Sequence, residues 1–557
     1  MKTHLPRGFR NFWRVFKTSG LMLLFVLGAA HLRAATFVWD GTTNTWPSVH
    51  WYDADGNLVA GGIIVTNSYF ITNGMVTFAG NDTFGDANTT ASPLITVAGT
   101  GVLASGNYFN TLWNLTLQGG TLLPNGGVNL SFPSFQLDGT LTVSGTSPSL
   151  ISAGYGNWPQ VNIGGTSTSS NVLTVNVADV TGDAYPDLII AAALKNGRNP
   201  NVIGTLLKTG PGTLALTGTN FYTGSTIANG GWLLLQGGHT SGGRLIANGG
   251  GTIVVETNAG TYIFTADAYS GSCDVGESGG TGTLILNGGL IIITNSTGAA
   301  SMRVWVNGAA NGTLTINAGT LMVPGRILIG ANNTATVGTL TLNGGVLDLG
   351  YMGGFTTLGS DPNRGLIWFG NGTSTINLNG GLLRLTCLYG GPGSANAKIF
   401  YNGALVQAAT NNSSFDSAGT FSHNVKAGGA RLDSAGFDLT FSKPFLHDST
   451  LGATPDGGWT KLGAGTVTLA HNGSTYTGPV VISNGLVRLT AAAGGPAPAS
   501  SPLGAPAASR TVTVCSNATL YFGANDVLGN HVSASATILV VKEGGLVTNA
   551  ATYNTIP

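Results

Sequence analysis

The stretch LTLNGGVLDL, Leu340 to Leu349, sets the reading of the chain. Leu340 and Leu342 alternate with their neighbours, as do Leu347 and Leu349. A period of two is a strand with one buried face. Between the two runs, Asn343-Gly344-Gly345 supplies turn backbone, which Gly tolerates and Asn tolerates better than most residues. The unit is therefore strand, turn, strand. It cannot bury its apolar face alone, but stacking on copies of itself would bury it.

Copies are present: LILNGGLIII at Leu284, LTINAGTLMV at Leu314 and INLNGGLLRL at Ile376, with a looser LTLQGGTLLP at Leu115. The four close copies start 30, 26 and 36 residues apart, too short for a crossover helix plus strand and long enough for one coil of a solenoid. No segment after the N-terminal region shows a helical period with caps. The expected fold is all-β, a parallel β-helix. Coils of about 22 residues, about 4.8 Å apart, would build a rod on the order of 100 Å long. Stacking puts like above like, so Asn317 and Asn343 are expected in a side-chain ladder.

Composition agrees. Of 557 residues 88 are Gly, and only 8% are charged, against about 7% Gly and about 25% charged in an ordinary domain. At 42% hydrophobic the chain has ample surface to bury and is not a disordered one. Six of the 22 basic residues precede Ala34, while all 22 acids follow Trp39, so the remainder is net acidic. Ala34 to Leu194 holds no Lys or Arg. A nucleic-acid partner is not expected from such a chain.

The basic N-terminus precedes LMLLFVLGAA, Leu21 to Ala30, and reads as a secretory signal cut near Ala34 or Ala35. The apolar run is about half of what spans a bilayer. Trp39, Trp46 and Trp51 then read as a cap over the first coil, with a sugar-stacking platform as the alternative. At the other end, ILVVKEGGLVTNAATYNTIP resembles ITVAGTGVLASGNYFNTLWNLTLQGG but stops where a strand should begin, as a truncated frame would. Cys273, Cys387 and Cys515 have no metal spacing and read as small packed residues.

Candidate chemistry is sparse. GPGTLA at Gly210 fits G-x-G-x-x-A, but an alternating, turn-rich run follows where a dinucleotide site needs a helix. In DVTGDAYPDL, Asp179, Thr181, Asp183 and Asp187 take calcium-loop spacing, but the turn Gly and the bidentate Glu are missing. A polysaccharide lyase or hydrolase would need convergent acids or bases. Glu256, Glu277 and Glu543 are the only glutamates, and the pairs Asp433 with Asp438 and Asp361 with Arg364 lack a neighbouring histidine. The eight histidines are scattered and read as exposed or turn residues.

Two stretches are fuller than the simple unit: LLKTGPGTLALTGTNFYTGSTIANGGWLLL from Leu206, and TKLGAGTVTLAHNGSTYTGPVVISNGLVRL from Thr460. Together they resemble the autotransporter-associated β-strand repeat, also called the passenger-associated transport repeat. The pattern falls on Lys208, Gly210, Gly212, Tyr222, Gly224 and Gly231, and again on Lys461, Gly463, Gly465, Tyr476, Gly478 and Gly485. Trp232, Phe221 and Val480 depart from it. The resemblance implies a right-handed parallel β-helix of the pectin-lyase-like kind. It also implies an exported, non-catalytic passenger at the cell surface, outer-membrane associated, whose repeats aid secretion and folding. It brings no catalytic, cofactor-binding or metal residues. No barrel pattern follows Tyr476, so an outer-membrane translocator is expected from outside this sequence; surface glycans are candidate partners. The chain divides into a signal (1–35), a solenoid with the Trp-rich cap (36–205), the first repeat (206–237), a central solenoid (238–458), the second repeat (459–490) and further coils (491–557). The paired lysines have no evident role at this level.

Overall fold

Leu284, Leu314, Leu340, Ile376 and Ile399 stand in register on five successive parallel strands, and each is buried. Their neighbours Thr283, Thr313, Thr339 and Thr375 share the opposite, outward row. This alternation is what the period-two reading requires. A computed structural model describes residues 35–46, 50–59, 67–84, 93–165, 172–198, 202–265, 273–276, 280–294, 301–304, 311–330, 335–350, 365–391, 393–493, 500–506, 510–528, 537–552 and 554. The signal segment before Ala35, Glu277, the Asp361 and Arg364 pair, and the final Thr555-Ile556-Pro557 lie outside them.

Among the described residues the strands form three long sheets of 19, 16 and 16 strands, paired almost wholly in parallel. The two strands of each unit do not pair as a hairpin. The first, such as Val337–Leu342, lies in the second sheet, and the next, Val346–Asp348, in the third. The chain is thus the expected parallel β-helix, and Asn-x-Gly is the corner between two of its sheets. A single column of apolar side chains runs inside from Phe37 to Leu528.

The corners carry the asparagine ladder. Asn317 donates to Asn287 at 2.9 Å, Asn343 to Asn317 at 2.8 Å, Asn379 to Asn343 at 2.9 Å and Asn402 to Asn379 at 3.1 Å. Coil length is less uniform than expected. In-register residues are 19 positions apart from Leu214 to Leu233, but 36 from Leu340 to Ile376. The coils of the repeats are among the shortest, and the coil from Val102 to Thr121 matches them at 19 positions.

Among the described strands, antiparallel ladders are confined to the N-terminal end. Thr36–Trp39 pairs in parallel with Ser68–Ile71 and antiparallel with Trp51–Tyr52, which pairs in turn with Leu58–Val59. This short ribbon covers the open edge of the first coil, a place where bare strands would invite association. Trp39, Trp46 and Trp51 are at most 2% exposed. Trp46 meets Phe84 edge-on at 4.7 Å and Trp51 packs on Tyr69 at 5.0 Å. They cap the core, and their faces are not free to stack on sugar.

Candidate functional site

The repeats hold buried lysines. Lys208 is fully buried, and its Nζ donates to the carbonyls of Thr209 at 3.2 Å, Gly210 at 2.6 Å and Gly230 at 3.1 Å. Two of these carbonyls belong to its own corner and the third to the corner one coil later. Lys461 does the same in the second copy: Nζ donates to Gly463 O at 2.5 Å, Gly465 O at 3.0 Å and Ser434 Oγ at 2.9 Å. Burial pushes both lysines down to about 8, opposed by the nearby charge of Asp187 for Lys208, and of Asp433 and Asp438 for Lys461. A buried ammonium survives only when its donors are met; backbone carbonyls meet them, joined at Lys461 by the Ser434 hydroxyl.

The spacing of the motif now has a cause. A Cβ at Gly231 would lie 2.5 Å from Lys208 Nζ, and one at Gly485 would lie 2.5 Å from Lys461 Nζ. Each lysine occupies the space its glycine leaves empty on the next coil. Gly210, Gly463 and Gly465 are corners with left-handed backbone, as expected. Gly212, Gly224 and Gly478 are not; they are positions where the carbonyl of the adjacent coil passes too close for any side chain.

Tyr222 and Tyr476 fill the interior beside the third sheet, and both are fully buried. Tyr222 OH shares a 2.6 Å hydrogen bond with Thr226 Oγ1. Four residues after Tyr476 stands Val480, and the Tyr476 hydroxyl has no hydrogen-bond partner among the described residues. Val480→Thr should supply one. An unpaired buried hydroxyl costs roughly 1–3 kcal/mol, so we expect a gain of about 1 kcal/mol. Amide hydrogen exchange in 459–490 would report it, and unchanged or faster exchange would refute it.

The other candidates resolve into architecture. Asp187 is fully buried; Oδ1 accepts from the amides of Val180 and Thr181 and from Thr181 Oγ1, and Oδ2 accepts from Thr213 N at 2.6 Å. Asp179 and Asp183 each hold a turn amide, those of Gly182 and Tyr185. Asp433 accepts from Ala435 N and Gln407 Nε2, and Asp438 from Thr466 N. Among the described residues no three acids, histidines or cysteines converge on one metal position. Cys273 and Cys387 are buried free thiols; burial holds Cys273 well above the usual thiol range and pushes Cys387 up to about 11, which leaves both protonated and inert.

The histidine expectation is wrong for three of the five described. His239, His423 and His471 are buried. His239 Nε2 meets Tyr222 O at 2.6 Å, and His423 Nδ1 meets the Tyr401 hydroxyl at 2.8 Å with its ring stacked 4.8 Å from Phe445. Burial pushes His471 down to about 4, so it is neutral at pH 7. His239 and His471 serve as flat core residues, while His423 also sets Nε2 3.5 Å from the buried Asp416 carboxylate.

A cleft of about 510 Å³ lies over the second sheet. Asp179 and Asp183 of one loop, Trp232 and Leu234 of the sheet, and Glu256 and Asn287 beyond two further strands line it. Reading the sequence did not find it, although Trp232 was visible as a break in the repeat pattern.

Fold and buried lysines together define the class: a parallel β-solenoid built with short, glycine-cornered, lysine-locked coils. Residues 206–235 and 460–489 both match the passenger-associated-transport-repeat, so the chain carries two passenger-type repeats of about 30 residues each. No curated protein and no solved structure matches the chain. No helix among the described residues is long and apolar enough to cross a membrane.

Proposed function

We propose that this chain is an exported, non-catalytic β-solenoid that serves as a cell-surface stalk or adhesive passenger, with its two repeats supporting secretion and folding. The observation that carries this reading is where the repeats spend their chemistry. Their lysines are fully buried and spend their donors on carbonyls of their own and the adjacent coil and on the Ser434 hydroxyl. Residues so used close coils rather than turn over a substrate. Three cysteines without a disulfide and a Gly-rich, charge-poor composition suit a chain that folds coil by coil after export. Its partners on this reading are surface glycans or other cells.

Expressed from Met1 with a C-terminal tag in a double-membraned bacterial host, the chain should lose its first 35 residues or so. It should also become accessible to protease added to intact cells when a translocator is supplied. Retention of residues 1–35 in a protected cytosolic product would sink the export reading. New reducing ends or unsaturated products from a polysaccharide panel would overturn the non-catalytic part.

A further inference from the structure

We infer that the cleft beside the first repeat binds a short run of neutral sugar residues, with one ring stacked on Trp232. Two features of the chain that coil formation does not require meet there. The first is Trp232, which is 47% exposed on the outer face of the second sheet. The row around it is threonine, with Thr213 before it and Thr252, Thr283, Thr313, Thr339 and Thr375 after it, before it passes to Lys398. The matched position in the second repeat is Leu486. The second feature is the loop carrying Asp179 and Asp183, which Asp187 pins to the coil through four hydrogen bonds.

The adjacent outward row changes character at the same place. Leu234, Val254 and Ile285 are apolar where the cleft lies, and the row continues as Thr315, Thr341 and Asn377 beyond it. Leu234 and Ile285 are half-buried and Val254 is buried between them, so the half-exposed Trp232 stands on an apolar rather than a hydroxyl-bearing floor. Around this floor stand carboxylates with acceptor capacity left over. Asp179 and Asp183 each spend only Oδ1 on a turn amide. The Glu256 carboxylate makes no hydrogen bond or ion pair among the described residues. No Lys or Arg lines the cleft.

This combination selects its occupant. Pyranose rings carry an apolar C–H face and a rim of hydroxyl donors. The face packs on an indole, and hydroxyls donating to carboxylates form charge-assisted bonds, the stronger kind. An anionic polysaccharide would meet only negative charge. A quaternary ammonium is held by a cage of several aromatic faces, and this cleft offers one. The volume lies within the range of roughly 300–1,000 Å³ usual for small-ligand sites. The inference gives a ligand class to the surface reading above and rests on it only for where the sugar is met. Binding is measured on the purified chain, so its failure leaves the export reading standing.

The test uses the full chain and Trp232→Leu, the residue already accommodated at Leu486. Each is titrated with cellotetraose, mannotetraose, xylotetraose and laminaritetraose, with tetragalacturonate and choline as separate arms, by calorimetry and Trp fluorescence. At least one neutral tetrasaccharide should bind saturably. Trp232→Leu should weaken that binding about tenfold or more with an unchanged melting profile, and Glu256→Gln should weaken it less. The inference fails if no neutral probe binds, if Trp232→Leu binds as well as the parent, or if choline or tetragalacturonate binds in place of the neutral sugars.

Discussion

Lys461→Met should destabilise the second repeat by about 2–4 kcal/mol, and Lys208→Met the first by a similar amount. Met keeps most of the stem and its packing, so the loss isolates the ammonium. Three acceptors lose a charge-assisted bond at each site, each worth roughly 1.5–3 kcal/mol before the cost of burying the charge is subtracted. The effect is local, because a solenoid's stability is a sum over coils and their neighbours. Amide exchange over 206–237 and 459–490 should therefore speed up while the Leu340 coils stay protected. Alkaline pH provides a second readout. Both lysines sit near 8 in the folded chain against an ordinary 10.5. Between those values the unfolded chain binds more protons, so the burial penalty, fully present below pH 8, is relieved as pH rises. Local stability should increase from pH 8 towards 10 in the parent and not in the Met variants. Burial holds Tyr222 and Tyr476 above their usual range, which acts in the opposite sense above pH 10 and sets the upper limit of the measurement. A Lys461→Met chain within about 0.5 kcal/mol of the parent would show that the lysine is incidental.

These lysines mark the boundary of what the sequence discloses. Alternating Leu340, Leu342, Leu347 and Leu349 fix strands and their buried face because burial acts on each side chain separately. Asn343 at a corner announces its ladder because stacked coils repeat the same atoms. Lys208 gives no such signal. Its partners are carbonyls, which every residue has, and one of them lies 22 positions ahead, at Gly230. Only the recurring spacing of Lys208 and Gly231 in Lys461 and Gly485 hinted at a shared cause. The aspartates were misleading for a related reason. Asp187, Asp433 and Asp438 carry the residue types of a metal or catalytic site, yet they anchor turns and moderate the two lysines. The cleft was hidden because it draws Asp179, Trp232, Glu256 and Asn287 from four separate coils, and their meeting depends on registers that no local pattern states.

Gly485→Ala should cost more than most surface glycine substitutions, about 3–5 kcal/mol, and the reason can be separated from backbone strain alone. Gly485 has φ 69°, which for alanine costs roughly 1–2 kcal/mol. Its Cβ would also stand 2.5 Å from both Lys461 Nζ and Gly465 O. The ammonium cannot withdraw without breaking its bonds to Gly463 and Gly465, so the methyl group and the lysine compete for one space. Gly345 is the control: its φ is 65° and a carbonyl, Gly319 O, is 2.5 Å from its Cβ position, but no lysine is there. Combining Gly485→Ala with Lys461→Met should therefore cost less than the two changes summed, by about 1 kcal/mol or more. Gly345→Ala combined with Lys461→Met should be additive, since the sites share no partner. Local exchange or protease susceptibility of 459–490 measures the first cycle, and the same readout over 337–349 measures the second. Additivity at Gly485 would mean that the motif's glycine is kept for its backbone conformation only, and that the lysine and glycine of the repeat recur together without acting on each other.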